Sequence, residues 1–115
     1  MAMKKKKKQG KPDPAIVADL VKRVVAAAQP EKIVLFGSAA RGEMGPDSDY
    51  DILVLVERST EPRYRLSQRG FLALRGIPAA VDVVVWDRET FDARLHLPAS
   101  FPATVIREGR LLHAA

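Results

Sequence analysis

Residues 50–56, with the sequence YDILVLV, constrain the fold more than any other stretch of this chain. Five consecutive apolar residues follow Asp51, so a strand formed here is apolar on both faces. A strand of that kind must be covered on both sides, which is typical of a central strand in a sheet. The segment therefore predicts a layered α/β domain, and the rest of the chain must supply the covering helices and the neighbouring strands.

Two further apolar runs predict neighbouring strands. Residues 33–36 form a short run that stops at Gly37, and residues 79–86 are rich in β-branched side chains. Runs of this length suit buried strands better than helices. The sequence thus predicts a small sheet of three strands with residues 50–56 at its centre.

Helices are predicted before, between and after these strands. Asp13-Pro14 is a helix cap followed by proline at the first helical position, and apolar residues recur at helical spacing as far as Gln29-Pro30. Further helices are predicted at residues 38–41, at 60–76 and after Trp86, where Pro98 and Pro102 interrupt the pattern and Gly109 caps the end. The fold class predicted from this order is α/β (α+β), a small sheet flanked by helices.

Charge and cysteine content bear on domains, partners and compartment. The 115 residues carry a net charge of +5, but Lys4–Lys8 and Lys11 supply six positive charges, which leaves −1 for residues 12–115. We expect residues 1–12 to be a disordered Lys-rich tail and residues 13–115 to be one domain; contact of the tail with nucleic acid stays open. The absence of cysteine excludes disulfides and thiolate metal sites. No stretch is apolar enough for secretion or for spanning a bilayer, so a cytoplasmic protein without a membrane partner is expected.

Three aspartates predict a cluster of carboxylates at one end of the sheet. Asp49 and Asp51 alternate along a strand, which puts them on one side roughly 6.6 to 7 Å apart. If the strand at 79–86 pairs beside residues 50–56, Asp82 comes within about 4.8 Å of Asp51 laterally. Uncompensated carboxylates beside an apolar sheet repel each other and lose hydration, and a bound cation offsets both unfavourable terms. Only oxygen ligands are at hand, which favours Mg²⁺ or Mn²⁺, and a pair of such ions is used in phosphoryl and nucleotidyl displacement.

Gly37-Ser38 supplies a candidate phosphate contact next to these carboxylates. Glycine at a strand end permits close backbone approach, and amides at a helix start attract phosphate oxygens. The Ser38 hydroxyl can add a further contact. For Arg41 two roles stay open. The side chain can contact a phosphate, or it can form an ion pair with Glu43 or with a carboxylate of the loop.

Gly37-Ser38, ten intervening residues and Asp49-Tyr50-Asp51 resemble the signature of the DNA polymerase β-like nucleotidyltransferase superfamily. "GSAARG" and "SDYD" resemble its minimal bacterial members, over roughly residues 15–112. The resemblance implies a nucleotidyltransferase fold with a small mixed sheet. It also implies that Asp49 and Asp51 bind the metals that carry a nucleoside triphosphate, that Gly37 and Ser38 hold its terminal phosphates, and that Asp82 is the third carboxylate.

The same resemblance implies a reaction and a partner. A nucleoside monophosphate, expected to be AMP from ATP, would pass to an acceptor hydroxyl, with two Mg²⁺ ions as cofactors. Minimal members of this kind resemble antitoxins paired with a helical HEPN-domain toxin, so the acceptor would be a hydroxyl, expected to be tyrosine, on that toxin. Two alternatives stay open: a binding module that masks a helical partner without turnover, and a nucleotidyltransferase acting on a small molecule or RNA.

Overall fold

The sheet has four strands and is mixed. The computed structural model describes residues 10–57 and 61–115. Its strands lie in the order β3-β2-β1-β4. Strand β1 pairs antiparallel with β2 and with β4, and β2 pairs parallel with β3. The strands are β1 (Lys32–Phe36), β2 (Tyr50–Val56), β3 (Val81–Asp87) and β4 (Arg110–Ala114).

Five helices accompany the sheet in the described part of the chain. They are α1 (Pro14–Ala28), α2 (Gly37–Arg41), α3 (Arg63–Ala73), α4 (Arg88–Arg94) and α5 (Phe101–Glu108). Helix α1 begins as predicted, because the Asp13 side chain accepts a hydrogen bond from the backbone N–H of Ala15 and proline occupies the first turn. Pro102 lies in the first turn of α5, so it starts that helix and does not interrupt one.

The two faces of β2 enter two different apolar clusters. Ile52 and Val54 pack in the larger cluster, which includes Leu20 of α1 and Leu66 of α3. Leu53, on the opposite face, packs in a smaller cluster with Phe91 of α4, Val105 of α5 and the partly buried Trp86 and Phe36. The prediction that residues 50–56 form a central strand covered on both sides is confirmed, as is the α/β class.

The prediction of three strands is wrong, because the chain ends in a fourth. Residues 110–114 contain only two large apolar side chains, Leu111 and Leu112, and show no alternation that would signal a strand. They form β4 by pairing with the outer edge of β1, with a register shift between Ile33 and Val34. Pairing with an existing edge supplies the hydrogen bonds that make this weakly patterned segment a strand.

The Lys-rich segment at residues 1–9 lies outside the described residues, so the prediction of a tail there stays a prediction. Gly10 forms an isolated antiparallel bridge with Met44, whose N–H donates to the Gly10 carbonyl at 3.0 Å. Within residues 10–57 and 61–115, the helices are all too short or too polar to cross a membrane.

Truncating the central strand should destabilise the protein strongly. Ile52 is 0% exposed, so Ile52→Ala leaves a cavity between the sheet and α1, and we expect the free energy of unfolding to fall by about 2–5 kcal/mol. Ile106→Ala removes a side chain that is 61% exposed and should stay within about 0.5 kcal/mol of the parent. Urea denaturation of both variants checks this, and equal losses would contradict the central position of β2.

Candidate active site

Two of the predicted carboxylates are direct neighbours in the sheet. The parallel pairing of β2 with β3 sets Asp51 opposite Asp82. Register partners project from the same face of a sheet, and here it is the face that α4 and α5 cover further along the strands. Asp82 is exposed and Asp51 is partly buried. The predicted pairing is confirmed, although the roles of these residues stay predictions.

Asp49 lies just before β2, at the open end of the strand. Its side chain is exposed and lines a cleft of about 450 Å³. The cleft is formed by Ile16, residues 44–50 and residues 78–80. Asp47 is also exposed in this loop. The loop therefore presents Asp49 at the mouth of the strand that carries Asp51.

The pKa of Asp51 is raised above the usual aspartate range. Burial is the main cause, followed by the negative charges of Asp82 and Asp49, while Arg41 acts in the opposite direction. Asp87 at the other end of β3 behaves differently, because the backbone N–H and the hydroxyl of Thr90 donate to it and lower its pKa. Asp87 is thus stabilised as the cap of α4, whereas Asp51 is held at a position that disfavours its charge. An acid held in that way is typical of a functional site.

Gly37 lies directly against the carboxylate of Asp51. Its φ is +72°, a conformation that other residues rarely adopt, and a Cβ added there would collide with the Asp51 carboxylate oxygen Oδ2. Ser38 follows in α2 and is partly buried. The structure therefore places the predicted glycine turn against one of the predicted acids, Asp51.

Arg41 is engaged in ion pairs at the end of α2. Its Nε donates to Glu43 Oε1 at 2.9 Å, and its Nη1 lies 3.7 Å from Glu108 Oε1 in α5. These contacts agree with the predicted ion pair between Arg41 and Glu43. The hydrogen bond with Glu43 is the main cause of the raised pKa of Arg41. Nothing in the sequence predicted the contact between Arg41 and Glu108, because the two residues lie far apart along the chain. Contact of Arg41 with a phosphate stays a prediction.

Tyr50 ties the two acids to the rest of the fold in a way that the sequence did not indicate. Its buried side chain accepts a hydrogen bond at Oη from the backbone N–H of Asp13, at 2.9 Å. Its own backbone N–H donates to the carbonyl of Ala80 at 2.9 Å, just before β3 begins. Asp49 and Asp51 therefore flank a residue, Tyr50, that is held by one hydrogen bond of its side chain and one of its backbone.

The donor set fits a hard divalent cation. Among residues 10–57 and 61–115, no group of three or more His, Asp or Glu side chains is arranged as a metal cluster. Mg²⁺ is commonly bound through one or two carboxylates together with substrate phosphates, so a complete protein cage is not required. Asp51 and Asp82 offer two adjacent carboxylates whose mutual repulsion a cation would relieve.

Comparison with known families and proteins gives consistent results. The family model described as "Nucleotidyltransferase domain" matches residues 17–111. A protein of Methanocaldococcus jannaschii named "Putative protein adenylyltransferase" is 32% identical over 83 residues, which cover 72% of this chain and 78% of that protein.

Solved structures with the same fold include two toxin–antitoxin structures. A crystal structure of a toxin–antitoxin with AMP-PNP matches with a TM-score of 0.57 and 26% identity, over 86% of this chain and 73% of the other. A structure of tri-AMPylated Shewanella oneidensis HEPN toxin in complex with MNT antitoxin matches with a TM-score of 0.51 over 88% of this chain and 71% of the other, and at 21% identity it shows the fold alone.

Alanine at Gly37 should cost more stability than alanine at Gly42. Both glycines have φ of +72°, so each substitution places a side chain in the left-handed region at a cost of about 1–2 kcal/mol. Only at Gly37 does the new Cβ also collide with Asp51, because the nearest neighbour at Gly42 is the Gly10 carbonyl oxygen at 4.0 Å. Chemical denaturation of both variants measures the difference, and equal losses would mean that Asp51 does not pack against Gly37.

Asp51→Asn should stabilise the metal-free and nucleotide-free protein at neutral pH. Folding raises the pKa of Asp51, so the folded state keeps its proton where the unfolded chain has lost it. That contribution to stability is fully present below the ordinary aspartate pKa and is lost as the pH rises through the raised value. The gain in Tm of Asp51→Asn should therefore grow from acidic to neutral pH. Melting curves over this range check it, with Asp47→Asn as the loop control, and a gain that shrinks with rising pH would contradict it.

Proposed function

We propose that this chain, which belongs to the nucleotidyltransferase domain family, transfers AMP from ATP to a hydroxyl group of a partner protein. That the protein is a nucleotidyltransferase follows from the family. The donor, the acceptor and the roles of individual residues are the proposal. The observation that supports it best is the pairing of Asp51 with Asp82 beside the Gly37 turn.

In the proposed reaction the acceptor oxygen forms a bond to the α-phosphorus of ATP. The bond between that phosphorus and the oxygen bridging to the β-phosphate breaks, and pyrophosphate leaves. Asp82, which is exposed, accepts the proton of the acceptor hydroxyl. The backbone at Gly37 and the hydroxyl of Ser38 bind the terminal phosphates, and Arg41 stands near enough to Asp51 to influence its pKa.

Asp49, Asp51 and Asp82 would hold Mg²⁺, or Mn²⁺, at this site. When bound, the ions supply the positive charge that neutralises the triphosphate and the developing charge of the transition state. The chain itself supplies rigid placement. Asp51 projects from a central strand, and the residues that follow it in that strand are buried. The hydrogen bond between Asp13 and Tyr50 holds the start of the strand, so the carboxylates are positioned before the substrate binds.

ATP as donor is supported by two of the comparisons. The M. jannaschii relative is named as an adenylyltransferase, and the toxin–antitoxin structure at 26% identity contains AMP-PNP, an analogue of ATP. The same structure and the resemblance of the Gly-Ser and Asp-Tyr-Asp motif to minimal antitoxins support a toxin as partner. We propose a HEPN-type toxin, silenced by AMP on one of its hydroxyl groups.

Removing one acid of the set should abolish transfer. Asp49→Asn and Asp82→Asn should each lower the rate of AMP transfer at least about 100-fold, because a preorganised charge at the reacting phosphate is lost. Asp47→Asn, in the same loop, should leave the rate unchanged within about twofold. The measurement uses ATP labelled in the α-phosphate and the HEPN-domain protein expressed with this chain.

Three other outcomes would redirect the proposal. Full neutralisation of the toxin by Asp49→Asn with no label on it would indicate masking without turnover. Label on an added RNA or small molecule in the absence of protein would indicate a different acceptor. Equal loss in Asp47→Asn would indicate that the whole loop, not the predicted acid set, governs the rate.

A further inference from the structure

We propose that the exposed face of α3 is the surface on which the acceptor protein docks, and that the acceptor contributes an apolar patch with an acidic border. The "α3 face" is the outer side of this helix, formed by Tyr64, Arg65, Arg69, Phe71 and Leu72. The inference rests on the proposed function only in that the acceptor is a protein. It adds where that protein binds and what chemistry its surface has.

The α3 face exposes large apolar side chains that nothing described in the chain covers. Tyr64 is 66% exposed, Phe71 60% and Leu72 51%. Residues seven and eight positions apart lie on one side of a helix, so the three form one patch. Leu66 and Gly70 on the opposite side are buried, and Gly70 faces Val83 of β3. Exposed aromatic residues beside arginine are the composition that protein interfaces favour.

The charge around this patch selects the kind of partner. Arg65, Arg69 and Arg75 lie on or next to the α3 face. Arg69 pairs with Glu61 at 2.7 Å, whereas Arg65 has no salt bridge within the described part of the chain. A second copy of this chain docked through the same face would place arginine against arginine. A protein with acidic residues around an apolar centre is complementary to this face, because it can bury Leu72 together with the two aromatic rings while its carboxylates meet the arginines.

The position of α3 connects this patch to the candidate site. Strand β3 is at the edge of the sheet, and α3 packs on it. A cleft of about 290 Å³ runs from Phe71 to Val81, the residue before Asp82, and is lined between them by Ile77 and Ala80. Helix α3 and Val81 lie on the face of β3 opposite to the one from which Asp82 projects, so a protein seated on the α3 face reaches Asp82 by extending past the free edge of β3. Docking there would present an acceptor hydroxyl around that edge.

The test compares Tyr64→Glu/Phe71→Glu with Ile106→Glu, using as probe the purified protein that accepts labelled AMP. Ile106 is exposed to the same degree as Phe71 but lies on α5. We expect the double variant to bind the acceptor at least about tenfold more weakly, with a raised KM for acceptor and an unchanged kcat. Ile106→Glu should behave as the parent does. Arg65→Glu, which leaves the apolar patch intact, should also weaken binding, and added salt should reduce that difference.

Asp49→Asn separates this inference from the proposed function. It should bind the acceptor as the parent does while transferring no label. If the double variant binds and labels the acceptor normally while Asp49→Asn does not label it, the docking inference is wrong and the proposed function stands. If no protein accepts the label, both are wrong. If the double variant loses self-association or binding to an RNA oligonucleotide while acceptor binding is intact, the α3 face serves another partner and the inference is overturned.

Discussion

The parallel pairing of β2 with β3 is the constraint on which the rest of the site depends. It sets Asp51 beside Asp82 in the sheet, and the burial of Asp51 together with the negative charge of Asp82 raises the pKa of Asp51. The apolar residues that follow in β2 are buried on both faces, and this burial offsets the electrostatic cost. The acids are therefore kept in place by the core and not by contacts with each other.

The site and the fold are consequently hard to separate. Gly37 follows the last residue of β1, and its conformation leaves room for the Asp51 carboxylate. Helix α2 begins at Gly37 and is linked to α5 by the ion pair of Arg41 with Glu108. Strand β1 lies between β2 and β4, so the Gly37 turn is carried by a strand with neighbours on both sides. A change at the turn therefore acts on strand packing and on the carboxylates at once.

The sequence predicted those parts of the site that depend on local pattern. The apolar run after Asp51 was enough to expect an acid at the start of a central strand, and the aspartate in a Val-rich strand was enough to expect a neighbouring carboxylate. Asp49 was expected on the same strand but lies just before it. Strand β4, the hydrogen bond from Asp13 to Tyr50 and the Arg41–Glu108 pair could not be predicted. Each joins segments far apart in the chain, and contacts of that kind leave no periodic signal in one sequence.

The exposure of the acids bears on how the proposed reaction avoids wasting ATP. Asp49 and Asp82 are open to solvent in the described structure, so water can reach the same position as an acceptor hydroxyl. An enzyme that excludes water strengthens the electrostatic interactions in its site and suppresses hydrolysis. Here Asp82 lies on β3, the edge strand next to α3, so a protein docked on the α3 face and extending past that edge would supply the missing wall. Transfer would then be fast only when the acceptor is bound, which makes the partner a component of the active site as well as its substrate.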